Sequence, residues 1–460
     1  MRSIWAVAIN TLKQAIRMKT ALIFIILLIV LLPTMGVAMT GDGTLKGKLQ
    51  TFVSYSFSLT GLLLSLLTIV VSVYSLTSDI QQKQIYTVLT KPIRRFQFLL
   101  GKLLGIIMLD AALLVLFSAV IYTVIIYTPK FYKASQAELI QADNEFFTAR
   151  VGLFPPEDDV KEETEDTYKK LEETGQLPAG ITDNKASREN YKKNIEHSIK
   201  FRKRAVAVGH ELVWEFNNVK PIDPNQSLFI RFKYEVSTNP HDLQVFGTWF
   251  AGDDRQFKYG TDAQTPFYIS DRKDLIRTFH EIEVPANAVA EDGYLAVRFF
   301  NPPLNNNIVV IFPPEDGPEV LYKANTFTAN FLRGTLLILL RLIFLACLGI
   351  LASTFLSFPV AILFCLTIFF AGTISGFCLE SFDYLSKNLS SVYSYTIKPI
   401  TQLLPQFDQL NPARFLIPAR LLRWSLIARA VVSLIGIKAL LLWLAALLIF
   451  SYKEIAKVIV

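Results

Sequence analysis

Cysteine and histidine are scarce in this chain, three and four among 460 residues. The cysteines, Cys347, Cys365 and Cys378, all fall in apolar runs, so no disulfide framework is indicated. The histidines, His197, His210, His241 and His280, show no H-x-x-x-H or H-E-x-x-H spacing, and surface or satisfied imidazoles are expected in place of a metal site. A G-x-x-x-x-G-K-[ST] phosphate loop is also missing. Gly43-Thr44-Leu45-Lys46-Gly47-Lys48 resembles one superficially but has the wrong spacing and follows no strand, so this chain is not expected to bind ATP or another cofactor. No nucleophile, base and orienting group can be assembled from the remainder, which argues against an enzyme. Charge is thin too, at 18% against about 25% for a soluble chain.

What the chain has instead is apolar surface: 52% hydrophobic residues and a mean hydropathy of +0.37. The excess sits in six uncharged or nearly uncharged runs, each close to the ~20 residues a helix needs to cross hydrocarbon. They are Ala21–Met39, Phe52–Thr77, Leu103–Tyr127, Thr335–Leu356, Val360–Cys378 and Ala430–Phe450. The fold class expected is a mainly α-helical polytopic membrane protein. A pI near 9 could suggest nucleic acid, but the basic residues flank the apolar runs, which fits a lipid bilayer better and leaves no nucleic-acid partner expected. Residues 1–20 read as an amphipathic interfacial helix, with Trp5, Ile9, Leu12 and Ile16 on one face and Lys13, Gln14 and Arg17 off it. Gly36 and Ala38 imitate a signal-cleavage site, yet that long amphipathic leader favours a retained span.

Orientation follows from short basic loops. Lys83, Lys91, Arg94, Arg95 and Lys102 follow the second span, and Arg2, Lys13, Arg17 and Lys19 precede the first, which puts both in the cytoplasm. Residues 21–127 would then hold spans one to three around a cytoplasmic loop, 78–102, and 128–334 would lie outside. The last three spans fall in 326–460, around an external loop at 380–426. Lys387, Lys398, Arg414, Arg420 and Arg423 in that external loop argue the other way. The absence of disulfides from a large external domain fits the inner membrane of a bacterial envelope.

The insertion divides by pattern. Residues 128–207 are Lys- and Glu-rich, with exposed helices expected at Val160–Thr174 and Ala186–Ala205. From about His210 the period becomes two: in Ser227–Ser237, Leu228, Ile230, Phe232, Tyr234 and Val236 alternate with Arg231, Lys233 and Glu235. Further runs at Leu243–Ala251, Pro266–Ser270, Ile276–Val284, Tyr294–Phe300 and Asn307–Phe312 make 208–325 an antiparallel β-sandwich, of jelly-roll type. Trp214, Trp249, Phe250, Tyr259 and Tyr268 could stack on a glycan, though sandwich core or rim is the simpler reading.

In the loop 78–102, Ile85, Val88 and Leu89 form a short amphipathic helix stopped by Lys91-Pro92, because the residue before proline is pushed out of α conformation. Pro92 can open the next helix, carrying Arg94-Arg95 into span three. Read by physics alone, this is equally a basic turn. The stretch Ile85-Tyr-Thr-Val-Leu-Thr-Lys-Pro-Ile-Arg-Arg-Phe-Gln-Phe-Leu-Leu-Gly-Lys102 resembles the cytoplasmic loop of type-2 ABC transporter permeases, commonly an acid, G-T-L-x-L-L-x-x-P-I-x-R and L-x-G-K. Ser353-Thr-Phe-Leu-Ser-Phe-Pro-Val-Ala361, Leu404-Pro-Gln-Phe407 and the ending Lys453-Glu454-Ile455-Ala456 agree. The resemblance covers about 250 residues, both ends without the insertion. It departs in Ile85-Tyr86, which replaces Gly-Thr, and in the length of the insertion.

This resemblance implies a permease subunit with no catalysis of its own, driven by cytoplasmic ABC ATPase subunits and paired with a second permease copy or paralogue. Gln84, Ile85, Val88, Leu89, Lys91, Pro92, Arg94 and Arg95 would be the ATPase-coupling residues. Two charges within spans, Asp110 and Arg341, either face the bundle interior or snorkel to an interface. The alternative function is an envelope scaffold or sensor whose sandwich binds glycan or a partner protein.

Overall fold

The computed structural model describes residues 2–39, 41–82, 94–132, 134–156, 159–178, 185–222, 226–259, 265–314, 316–382 and 404–452. The chain separates into a helical unit, Met1–Ala149 with Thr326–Val460, and a sheet-bearing unit, Arg150–Asn325.

The helical unit runs α1 (Arg2–Ile16), α2 (Lys19–Ala38), α3 (Leu45–Gln81), α4 (Arg95–Phe131) and α5 (Gln136–Glu145). It continues with α6 (Phe327–Phe355), α7 (Phe358–Phe382) and α8 (Trp424–Tyr452), the last containing a π-helical stretch at Val431–Ala439. Among the described residues six helices, α2, α3, α4, α6, α7 and α8, are long and apolar enough to span a membrane. The chain is therefore a multi-pass helical membrane protein by length and composition. At 37 residues each, α3 and α4 are about 55 Å long and outreach a ~30 Å hydrocarbon core.

Local chemistry fixes the helix starts. Thr44 Oγ1 accepts the Gly47 N–H at 3.0 Å and caps α3, so the stretch resembling a phosphate loop is a helix N-terminus. Ser135 and Glu138 form a reciprocal capping box on α5, and Thr326 caps α6. The core of this unit lies along α3 and α6, where Leu64, Leu67, Ile69, Leu337, Leu342 and Leu345 are fully or almost fully buried. By contrast α2 and α8 leave Ile23, Ile26, Val30, Leu441 and Leu448 exposed, as a surface facing acyl chains would.

Helix α1 presents two faces. Ala8, Thr11 and Ala15 are buried, whereas Trp5 and Ile16 are 56% and 49% exposed. The buried face meets Gly101 and Gly105 of α4: a Cβ at Gly101 would strike Val7 and the Ile4 carbonyl, and one at Gly105 would strike the Ala8 carbonyl and Thr11. Small residues four apart are what allow two helix backbones to approach so closely.

In the sheet unit, β1 (Thr148–Leu153), β4 (Ser227–Phe232), β8 (His280–Pro285) and β11 (Glu319–Thr326) form one sheet in the order β1-β11-β4-β8. A second joins β3 (Glu211–Phe216), β6 (Gln244–Gly252), β7 (Tyr268–Leu275) and β9 (Leu295–Phe300) as β3-β9-β6-β7. A small third sheet has the order β2-β10-β5, from β2 (Ala205–Val206), β5 (Glu235–Val236) and β10 (Val310–Ile311). The registered pairs are antiparallel, with Ile230 opposite Ile282 and Trp249 opposite Phe299. Both four-stranded sheets fill one apolar core around Phe216, Phe232, Trp249, Phe299 and Phe312. Helices Lys161–Glu173 and Lys185–Lys203 pack together through Val160, Tyr168, Ile195 and Ile199.

The differences from the sequence reading have backbone causes. The run Ser227–Ser237 is two strands, because the chain changes sheet at Lys233-Tyr234: Phe232 still pairs with His280, but Val236 pairs with Val310. The run Ile276–Val284 shortens to begin at His280, since Arg277 turns with φ 61°. Asn306 and Asn307, with φ 45° and 64°, delay β10 to Val310. The outermost strand β1 falls within 128–207, a stretch expected to be helical.

Candidate functional site

Of the residues expected to couple to an ATPase, Gln84, Ile85, Val88, Leu89, Lys91 and Pro92 lie outside the described residues. The structure does describe the two helix ends that hold this loop. Asp79, in the last turn of α3, meets Lys102 of α4 with Nζ–Oδ2 at 2.6 Å, and their side chains are only 11% and 2% exposed. Lys102 Nζ also donates to the Ser75 carbonyl at 2.9 Å and to Gln14 Oε1 of α1 at 3.4 Å, and lies 5.6 Å from the Phe98 ring centroid. One ammonium thus gathers three helices at the base of the loop. The pair is buried, so it constrains geometry far more than an exposed pair does.

Arg94 and Arg95 divide in role. Arg94 is exposed, and its N–H binds Gln97 Oε1 at 3.3 Å, opening α4. Arg95 turns back onto the end of α8, donating to the Phe450 carbonyl at 3.0 Å and to the Ser451 carbonyl. A guanidinium donating to two successive carbonyls ties the start of α4 to the last described turn of α8. Phe98 stacked on Phe450, and Phe96 edge-on to Trp443, complete that junction.

The two intramembrane charges do not pair with each other. Asp110 is 1% exposed and faces α3, where Thr68 Oγ1 lies 2.9 Å from Oδ1, while Oδ2 has no hydrogen-bond partner among the described residues. Arg341, on α6, reaches the Phe407 carbonyl at 3.4 Å and lies 5.5 Å from its ring. A Cβ at Gly61 would come within 3.4 Å of Arg341 Nη1, so glycine makes room for the guanidinium.

Phe407 belongs to a folded stretch, 404–423, that is threaded along α6. Asn330 Nδ2 donates to the Arg420 carbonyl at 2.8 Å, its Oδ1 accepts the Leu422 N–H at 2.8 Å, and Arg333 donates to the Leu422 carbonyl at 3.1 Å. Eleven residues further along α6, about 16 Å at 1.5 Å per residue, Arg341 holds Phe407. Phe407 is 1% exposed between Phe344 and Phe369, and its N–H binds the Gly372 carbonyl at 3.1 Å. Non-helical backbone at such depth is tolerated where protein groups satisfy it.

In the sheet unit, Trp214 and Trp249 are core residues, 7% and 2% exposed. Tyr268 hydrogen-bonds Asn287 at 2.7 Å, and the side chain of Tyr259 lies outside the described residues. The buried tryptophans are thus closed to a sugar ring. No group of three His, Cys, Asp or Glu could hold a metal among the described residues. The best-formed polar cluster there is Arg255, bonded to Asp253 at 2.9 Å and Asp292 at 2.7 Å and lying 4.0 Å from the Tyr294 ring. The guanidinium holds both carboxyls below the usual carboxylate range.

The sequence reading does not single out Asp79 or the Gly101/Gly105 pair, and it places Gln14 only on the polar side of the leader. Their signals were present: Thr68, Ser72, Ser75 and Asp79 repeat at helical spacing along a span, and G-x-x-x-G stands beside a leader with small residues on one face. No family model, curated protein or solved structure matches this chain.

Proposed function

We propose that the chain is the membrane-spanning subunit of an ABC transporter, moved by separate cytoplasmic ATPase subunits and acting beside a second permease copy or paralogue. The observation that carries this reading is the base of the loop at 82–94. Two helices longer than a bilayer is thick project it, and the buried Asp79–Lys102 pair, with Gln14 of α1, ties its roots together. A loop rooted so firmly can transmit displacement into α3 and α4, as a coupling element must. The resemblance of Ile85–Lys102 to the type-2 permease loop names the partner, and Arg94, exposed beside it, is available to an acidic surface.

The basic first loops support a cytoplasmic placement of this face and an extracytoplasmic placement of residues 128–334 in an inner membrane. For the sheet unit the favoured architecture is a jelly-roll sandwich. Numbering its eight longer strands in chain order, the neighbours include first with eighth, second with seventh, third with sixth and fourth with fifth, as in a long hairpin wound on itself.

The test is purification of the tagged full chain from its native membranes, with bound proteins identified by mass spectrometry. A subunit carrying a Walker A sequence should accompany wild-type chain, and a Val88→Asp/Leu89→Asp variant at normal membrane level should lose most of it, because charge replaces buried apolar surface. Undiminished recovery would remove the loop from the coupling role.

A further inference from the structure

Between the threaded stretch and α8 lies a cavity of about 350 Å³, lined by Pro405, Gln406, Gln409, Ser433, Arg429 and Lys438 among others. Two cations and two amides face it, and no acid among the described residues does: the one acid of 404–423, Asp408, has its carboxylate against Gly376 of α7. Lys438 Nζ is anchored on the Leu404 carbonyl at 2.7 Å. Arg429 is exposed and forms no hydrogen bond or ion pair among the described residues.

The winding of α8 explains how both reach one cavity. Nine residues separate Arg429 from Lys438, about two and a half turns at 3.6 residues per turn, which would place them on opposite sides of an α-helix. Val431–Ala439 is π-helical instead, with the Leu440 N–H bonded to the Ile435 carbonyl five residues back. That looser winding brings Lys438 round to the Arg429 side. π-Segments cost stability and recur at functional sites, and charged residues inside a span are costly unless something answers them.

We propose that this cavity is a binding site for a phosphate-bearing anion with a small attached group. Arg429 supplies the planar fork that matches phosphate oxygens, Lys438 a second charge, and Gln406, Gln409 and Ser433 neutral donors. Leu426 and Leu434 provide an apolar margin that suits a glycerol backbone or the start of an acyl chain. The cavity geometry stands independently of the transporter reading.

The experiment uses purified full-length chain in detergent and measures binding of dioctanoyl phosphatidylglycerol, dioctanoyl phosphatidylcholine and inorganic phosphate by calorimetry. The anionic lipid should bind at least ten times more tightly than the zwitterionic one, and Arg429→Gln should abolish that preference. Arg17→Gln, which removes a remote exposed cation, should leave it intact, and Lys438→Arg should keep most of it. Inorganic phosphate that binds with the same sensitivity to Arg429→Gln supports the site and makes a free phosphate its occupant. Equal affinity for both lipids without phosphate binding overturns the proposal. So does an Arg429→Gln protein of unchanged elution profile that binds each probe like wild type.

Discussion

Replacing Lys102 with methionine should destabilise the helical unit more than any surface change, and the structure sets the scale. Methionine keeps much of the aliphatic length but removes the ammonium that Asp79 faces at 2.6 Å. Asp79 is 8% exposed, so its carboxylate would be left desolvated and unpaired, a situation that costs about 3–5 kcal/mol. Asp79→Asn should cost a similar amount, because Lys102 would keep only the Ser75 carbonyl and Gln14 as partners. The double variant Asp79→Leu/Lys102→Met removes both charges, and such replacements are neutral or stabilising by roughly 1–4 kcal/mol. Thermal unfolding in lipid nanodiscs would report the singles as midpoints lowered by roughly 6–20 °C, taking about 2–4 °C per kcal/mol, and the double near wild type. A Lys102→Met midpoint within about 2 °C of wild type would refute the burial argument, and a double variant as unstable as the sum of the singles would refute the pairing.

Two other outcomes are expected. In a fragment spanning 148–325, acid should weaken the fold as the carboxyls of Asp253 and Asp292 titrate. Arg255 lowers their folded values, so their stabilisation is complete above the ordinary value of 3.8 and is lost as pH falls through the lower folded values. Tryptophan emission should therefore show an acid transition below pH 4 that Arg255→Gln makes shallower; an unchanged pH profile would remove Arg255 from that role. Gly105→Leu should lift α1 from α4 at about 1–3 kcal/mol. The check is maleimide labelling of Thr11→Cys, a buried position, which should rise sharply in the leucine background.

Legibility in the sequence followed the range of the interactions. Six spans could be read because apolar runs need no partner to be recognised, and β4, β6 and β9 because alternation is local. Strand β1 could not. It is six residues long, and its Arg150 is 5% exposed, paired with Glu281 at 3.1 Å and placed 5.0 Å from the Phe229 ring. A buried cation satisfied from 79 and 131 residues away erases the pattern that would announce a strand. The same holds for Asp79 and Lys102, each legible as a charge near a span end and neither as half of a clamp. The coupling residues Gln84 to Pro92 stand where they stood on sequence and resemblance alone.

The basic residues after the fifth span are the most instructive case. Counted as loop charges, Arg414, Arg420 and Arg423 oppose the orientation set by the first loops. The structure changes what they are evidence of. The backbone at Arg420 and Leu422 is fixed by Asn330 and Arg333, that at Ile417 by Gln50, and Pro412 and Leu416 fit against Gly334, where a Cβ would meet them at 3.1 and 3.3 Å. The positive-inside bias acts on short loops that choose a side freely. A stretch bonded along the length of α6 has its position decided by those bonds, so its arginines carry less weight than Lys83, Lys91 and Arg94. The conflict in the charge count then rests on Lys387 and Lys398, and the cytoplasmic placement of the first loops remains the proposal that their own basic residues support.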